Sequence, residues 1–160
     1  MDGHAQAIRA LVEGCADQQA RWKPETDCWS MLEVMGHLLD EEREDFRARL
    51  DLVLHRRYEP RFRIDPETWV TKRRYNQRDF KESLDGFLSA REESLTWLQG
   101  LGEAELAQQF QAPFGSIRAG DILASWVAHD VLHMRQLLEL KWTYLVVAVA
   151  PYTITYAGVW

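Results

Sequence analysis

The sequence predicts an all-α protein, a four-helix bundle with an extended C-terminal tail. Two observations carry this. Apolar residues recur at helical spacing through four long segments, and no stretch before the tail alternates apolar and polar residues as a half-buried strand would. All five prolines, at positions 24, 60, 66, 113 and 151, fall between or beyond those segments. At 160 residues the chain is the size of one domain, 1–160, and long enough to bury a core.

The first helix is expected over residues 3–21, with Ile8, Leu11, Val12, Cys15 and Trp22 at helical spacing before Pro24 interrupts. "SMLE" then fits a capping box, in which Ser30 accepts from a backbone amide and Glu33 reaches back. This second helix is expected over residues 30–54, with Leu32, Met35, Leu39, Phe46, Leu50 and Val53 as its stripe. Its other face, "EEREDFRAR", reads as solvated. Residues 57–76 hold Pro60 and Pro66 and read as a long loop, of the kind that often carries function. The third helix, 79–99, has the cleanest period, through Phe80, Leu84, Phe87, Arg91, Leu95 and Leu98, and Gly100 and Gly102 close it. After a loop with Pro113 and Gly115 the fourth helix is expected over residues 119–142, with the stripe Ile122, Trp126, His129, His133, Leu137 and Leu140. The β-branched, aromatic tail "TYLVVAVAPYTITYAGVW" is expected to lie extended over the bundle or in a subunit contact. Short links favour antiparallel packing of the four helices.

Composition narrows the function classes. The net charge of −6 argues against nucleic acid as a partner. The longest apolar run, at 144–150, is far short of the roughly 20 residues that span a bilayer, so no membrane is expected. Residues 1–13 lack the apolar stretch of a signal peptide, and two cysteines, Cys15 and Cys28, suit a reducing compartment; a cytoplasmic setting is expected. Between His55 and Arg78 the chain is locally about +5. A solvated connection explains that charge, and electrostatic guidance of a small anionic substrate is the sharper alternative.

"VAHDVLHMRQL" places His129 and His133 four residues apart inside an apolar stripe. Residues so spaced sit about 6 Å apart on one helix face, where two imidazoles converge on one ion. Neutral rings pointing inward need partners, and a metal on one nitrogen of each, with acceptors on the other, supplies them. Two buried histidines bonded to ordinary neighbours are the bland alternative. A third ligand is needed, and His37 is the best candidate: His4 lies near the terminus and His55 at a charged helix end. At 100° per residue, His37 falls off the centre of its own apolar arc, so spacing leaves the third ligand open.

Two stretches, "KPETDCWSMLEVMGHLLDEE" and "GDILASWVAHDVLHMRQL", together with "FLSAREESLTWLQGL" and the closing "YAGVW", resemble the DinB-like superfamily over nearly the whole chain. The resemblance implies an up-up-down-down four-helix bundle, often a homodimer, and a divalent metal held by His37, His129 and His133. It implies metal-dependent hydrolases, or transferases and isomerases that use a low-molecular-weight thiol. At the start of the fourth helix Arg118 stands where many members have Ser or Thr, which makes Ser116 the expected cap.

Three neutral nitrogens leave coordination positions for water or substrate, as in catalytic sites. Nitrogen donors suit zinc or nickel, and also iron or cobalt. The bound ion would acidify a water, bind a thiolate or polarise a carbonyl of a small-molecule substrate. HDVLH differs from the HExxH protease motif by Asp130, expected as a surface acid or a partner to a ligand ring. Glu41, four after His37, either orients a ligand, relays a proton or belongs to a solvated acidic run from Asp40 to Asp45. Arg91 fills a stripe position where an aliphatic residue is expected, so it either pairs with a carboxylate or faces a substrate anion. Trp29 and Trp126 read as core. The competing class is a non-catalytic stress-response or structural bundle whose metal only stabilises it.

Overall fold

The computed structural model describes residues 1–56, 64–112, 115–158 and 160. Helices α1 (Asp2–Val12) and α2 (Asp17–Arg21) lead into α3 (Met31–Glu44) and α4 (Phe46–His55). Next come α5 (Pro66–Lys72), a 3-10 turn at Tyr75–Gln77, α6 (Phe80–Leu98) and α7 (Glu103–Leu106). A hairpin of β1 (Gln109–Ala112) and β2 (Gly115–Arg118) precedes α8 (Ala119–Ala148). Four rods make the bundle: α1, α3 continued by α4, α6, and α8. Ile8, Met35, Leu38, Phe87 and Leu137 meet in its main core, and Leu50, Val53, Ala119 and Ile122 fill a second core at the α4 end. No helix among the described residues is long and apolar enough to cross a membrane.

Several boundaries follow from single residues. The Ser30 box is present: Ser30 Oγ accepts from Glu33 N at 3.1 Å, and Ser30 N donates to Glu33 Oε2 at 2.8 Å. Asp65 caps α5 with Pro66 at its first position, and Asp79 caps α6 by accepting from Glu82 N. Gly36 is needed on α3 because a Cβ there would come within 2.8 Å of the Tyr75 ring.

The structure departs from the expected elements in five places. The first helix is split by Gly14, whose φ of 76° takes the chain out of helical geometry, so 3–21 becomes α1 and α2. The second breaks at Asp45 (φ −115°, ψ −86°), so 30–54 becomes α3 and α4. Residues 64–76 of the expected loop contain α5 and the start of the 3-10 turn, while residues 57–63 lie outside the described residues. The second loop forms a hairpin pairing Gln109 with Arg118, and α8 starts with Arg118 rather than Ser116 at the cap, where Asp121 accepts from Arg118 N at 2.8 Å. Residues 143–148 of the tail continue α8, anchored where Tyr144 meets Trp22 edge-on at 5.4 Å. A helix already nucleated over many turns propagates cheaply through β-branched residues. Trp160 then folds back onto Trp142, with ring centroids 5.0 Å apart.

The largest departure concerns the charged face of α3. Asp40, Glu41, Glu42 and Asp45 are buried rather than solvated, because α3 is enclosed on nearly every side. Asp40 accepts from Tyr75 Oη at 2.8 Å, Arg73 Nη1 at 2.7 Å and Arg78 Nη2 at 2.9 Å. Burial opposes the Asp40 charge, and those hydrogen bonds overcome it to hold the carboxyl below its ordinary range. Arg73 also grips Glu44 through both terminal nitrogens. Two cations of the basic segment are thus engaged in internal ion pairs.

Candidate metal centre

Helix α3 carries His37 and α8 carries His129 and His133, one turn apart. His37 is 5% exposed, and the other two are half-buried. His37 Nε2 lies 3.2 Å from His129 Nε2, and His133 Nε2 lies 3.1 Å from the same atom. One nitrogen from each ring falls within 4.8 Å of the others. Aromatic rings frame the cluster: Trp29 stacks parallel to His133 at 6.5 Å and lies 5.0 Å from His37, while Phe46 lies 5.0 Å from His129. The structure therefore brings together the three histidines singled out in the sequence. His55 lies apart, bonded to Asp51 at 2.9 Å.

The donor set fits a divalent ion. Nitrogens held about 2.0–2.1 Å from one ion, at angles of roughly 90–109°, lie about 2.9–3.4 Å apart. The two short separations fall in that range. Burial pushes the His37 ring down to about 3, with His133 and His129 adding to the effect. Burial takes His129 to about 4, with His133 adding. His133 is lowered by burial against the opposing pull of Gln136. Neutral rings keep lone pairs free for a cation. The Gln136 carbonyl oxygen, 2.8 Å from His133 Nδ1, can only accept, so the ring proton sits on Nδ1 and the Nε2 lone pair turns to the cluster.

Glu41 lies one turn along α3 from His37 and is 4% exposed. Among the described residues, His37 Nδ1 and Glu41 Oε1 are the buried side-chain polar atoms without a hydrogen-bond partner. Burial, and then the Asp45 carboxylate, push Glu41 up to about 8, so near neutral pH it carries a proton. It is not part of a solvated acidic run.

Arg91 is closed in by carboxylates. Its Nε and Nη2 donate to Glu42 at 2.9 and 2.8 Å, and its Nη1 and Nη2 donate to Asp130 at 2.7 and 2.8 Å. Trp126 Nε1 donates to the same Glu42 at 3.0 Å. This is the carboxylate pairing that its stripe position suggests. Asp130, expected as a surface acid or a ligand-ring partner, is instead fully buried as Arg91's counter-ion. His4 is held too, its Nδ1 3.3 Å from Asp130 Oδ2.

Beside His133 opens a cleft of about 590 Å³, within the range of small-molecule pockets. Trp29, Cys28, Asp27, Gln136 and Glu139 are among its walls. The sequence reading missed this wall. Trp29 is half-buried, packed against the main core on one side and against two imidazoles on the other, while Trp126 is fully core. Gln136, one turn after His133, was the available signal, because a ligand histidine needs an acceptor for its second nitrogen.

Comparison with known proteins agrees with this architecture. A solved structure of YfiT from Bacillus subtilis, a probable metal-dependent hydrolase with an unusual four-helix bundle topology, is similar to this chain with a TM-score of 0.76 and 20% identity over 87% of this chain and 80% of that one. At that identity the likeness shows the fold. No curated protein matches. The family profile described as the DinB superfamily matches residues 1–137, including His37, His129 and His133. This chain belongs to the DinB superfamily.

Proposed function

We propose that the chain is a metal-dependent hydrolase of small molecules, with His37, His129 and His133 as ligands to one divalent transition ion, zinc or nickel by preference for nitrogen donors. The observation that carries this is the convergence of three neutral Nε2 atoms at 3.1 and 3.2 Å, with His133 among the walls of an open cleft. The fold shared with YfiT supports it. A bound ion would supply Lewis acidity and a water deprotonated near neutral pH. The chain's own residues do the rest. Gln136 fixes the His133 tautomer, and Trp29 and Phe46 hold the ring planes and keep bulk water off the buried side. Glu41, protonated and buried one helical turn from His37, holds a proton for a leaving group. Arg91 acts through α8, fixing the backbone next to His129 through Asp130.

The test is elemental analysis of protein purified without a histidine tag, followed by hydrolysis assays on a panel of small esters and amides. We expect about one transition ion per chain, with turnover lost on chelation and restored by the ion. An ion that stays bound while nothing is hydrolysed and no azide or thiol binds would make the centre structural.

A further inference from the structure

The walls of the cleft point to the charge of what enters it. Among the described residues, its charged lining side chains are Asp27 and Glu139, both acids, and no cation lines it. Trp29 presents an aromatic wall, and Pro24 and Leu140 add apolar surface. An aromatic wall with carboxylates near it is the chemistry that receives an ammonium group: carboxylates attract the charge, and a ring face adds to the attraction through its quadrupole. Glu139 has one weak neighbour, Arg135 Nε at 3.4 Å, on an exposed side chain that is not among the lining. Arg73 and Arg78, which could have favoured an anion, are turned to Asp40 and Glu44. The chain's net charge of −6 acts in the same direction.

We propose that the cleft selects small organic cations: compounds whose labile group enters beside His133, the imidazole of the three that lines the cleft, and whose ammonium group, a few bonds away, meets Asp27 and Glu139 beside Trp29. This deepens the hydrolase reading and rests on it for the position of the labile group. It sets selection of a cation by the cleft against guidance of an anion by the basic segment, of which Arg57, Arg61 and Arg63 lie outside the described residues.

The test uses the metal-loaded full chain and three hydroxamates that share one metal-binding head and differ at the far end. These are aminocaprohydroxamate, caprohydroxamate and adipate monohydroxamate, with affinities read by calorimetry. The amine is expected to bind tightest and the carboxylate weakest, about tenfold apart, the scale of one or two exposed ion pairs plus a ring contact. In the Asp27→Asn, Glu139→Gln double variant the spread should shrink to about twofold with metal content unchanged. Equal affinities for the three probes, or a spread that survives in the double variant, overturns the proposal. A second arm works without the ion: hexylamine and hexanoate are titrated against the indole N–H resonance of Trp29, assigned with Trp29→Phe. A shift with hexylamine and not with hexanoate supports cation selection. Equal shifts, or none, overturn it. A chain that binds no ion overturns the hydrolase reading, and the cleft is then judged by this second arm alone.

Discussion

Two buried polar clusters meet on α8 at consecutive residues, His129 and Asp130, and they are built on opposite plans. Around Arg91 every group has a complement: three guanidinium nitrogens donate to two carboxylates, and Trp126 fills a further acceptor site. Around the histidines three ring nitrogens face one another, and among the described residues Nδ1 of His37 is buried without a partner. Burying polar groups is costly unless they are paired. The first cluster meets that cost within the chain. The second does not meet it among the described residues, which suits the cation proposed for its Nε2 atoms. Burial alone does not separate structural from functional polarity here; the balance of donors and acceptors does.

The largest effect should come from breaking the closed cluster. Arg91→Met leaves Glu42 and Asp130 buried without a counter-ion, and the expected loss is about 3–5 kcal/mol, read as a lower denaturant midpoint. Adding Glu42→Gln and Asp130→Asn should recover most of that loss, because the uncompensated charges go with the cation. A loss of under about 1 kcal/mol for Arg91→Met would make the network a surface-like one and erase the contrast.

Breaking the open cluster should behave differently. An ion at about one hundred times its dissociation constant stabilises a fold by about 2.7 kcal/mol, so chelation should lower the melting temperature of the native chain. His129→Ala should bind no ion and melt at the same temperature with or without chelator. Apart from the lost ion its fold should change little, because the ring leaves no charge behind. A chelator response that persists in His129→Ala would place the ion elsewhere. Gln136→Leu comes next: with the ring of His133 no longer oriented, affinity for the ion should fall about 10- to 100-fold, with folding stability in chelator nearly unchanged. Competition with a chromogenic chelator measures this.

How far the sequence alone reaches is set by the environment of each helix. On α8 the stripe worked, because that helix has one buried face: Ile122, Trp126, Leu137 and Leu140 are buried, with the two histidines between them. On α3 the same procedure left His37 open and placed Asp40, Glu41, Glu42 and Asp45 in solvent. The reason is that 12 of its 14 residues are buried, so no single apolar arc exists for a side chain to miss. Asp40 and Glu42 are paired by partners distant in sequence, Arg73, Tyr75, Arg78 and Arg91, and local periodicity does not see such pairing. The resemblance supplied the third histidine where spacing could not. Cleft-lining Trp29 and Asp27 were hidden for a similar reason, since their role depends on where α8 passes, not on their neighbours in the chain.

Glu41 gives the one effect here that is read through pH, and the sharpest test of whether unpaired buried polarity extends along α3. Its carboxyl stands at about 8 in the folded chain against an ordinary 4.5. Between those values the folded protein keeps a proton that the unfolded chain has released, so this residue makes stability fall as pH rises from 4.5 to about 8, and no further above that. His37 and His129 have the opposite sign: their depressed values make stability rise with pH up to their ordinary 6.5. In metal-free protein the histidine contribution is common to the native chain and to Glu41→Gln, and it cancels in their difference. Glu41→Gln should therefore match the native chain near about pH 4.5 and gain on it steadily up to about pH 8, as read from denaturant midpoints at several pH values. A difference that stays flat with pH would mean that Glu41 ionises normally in the fold, and the proton proposed for it would have to be carried by another group.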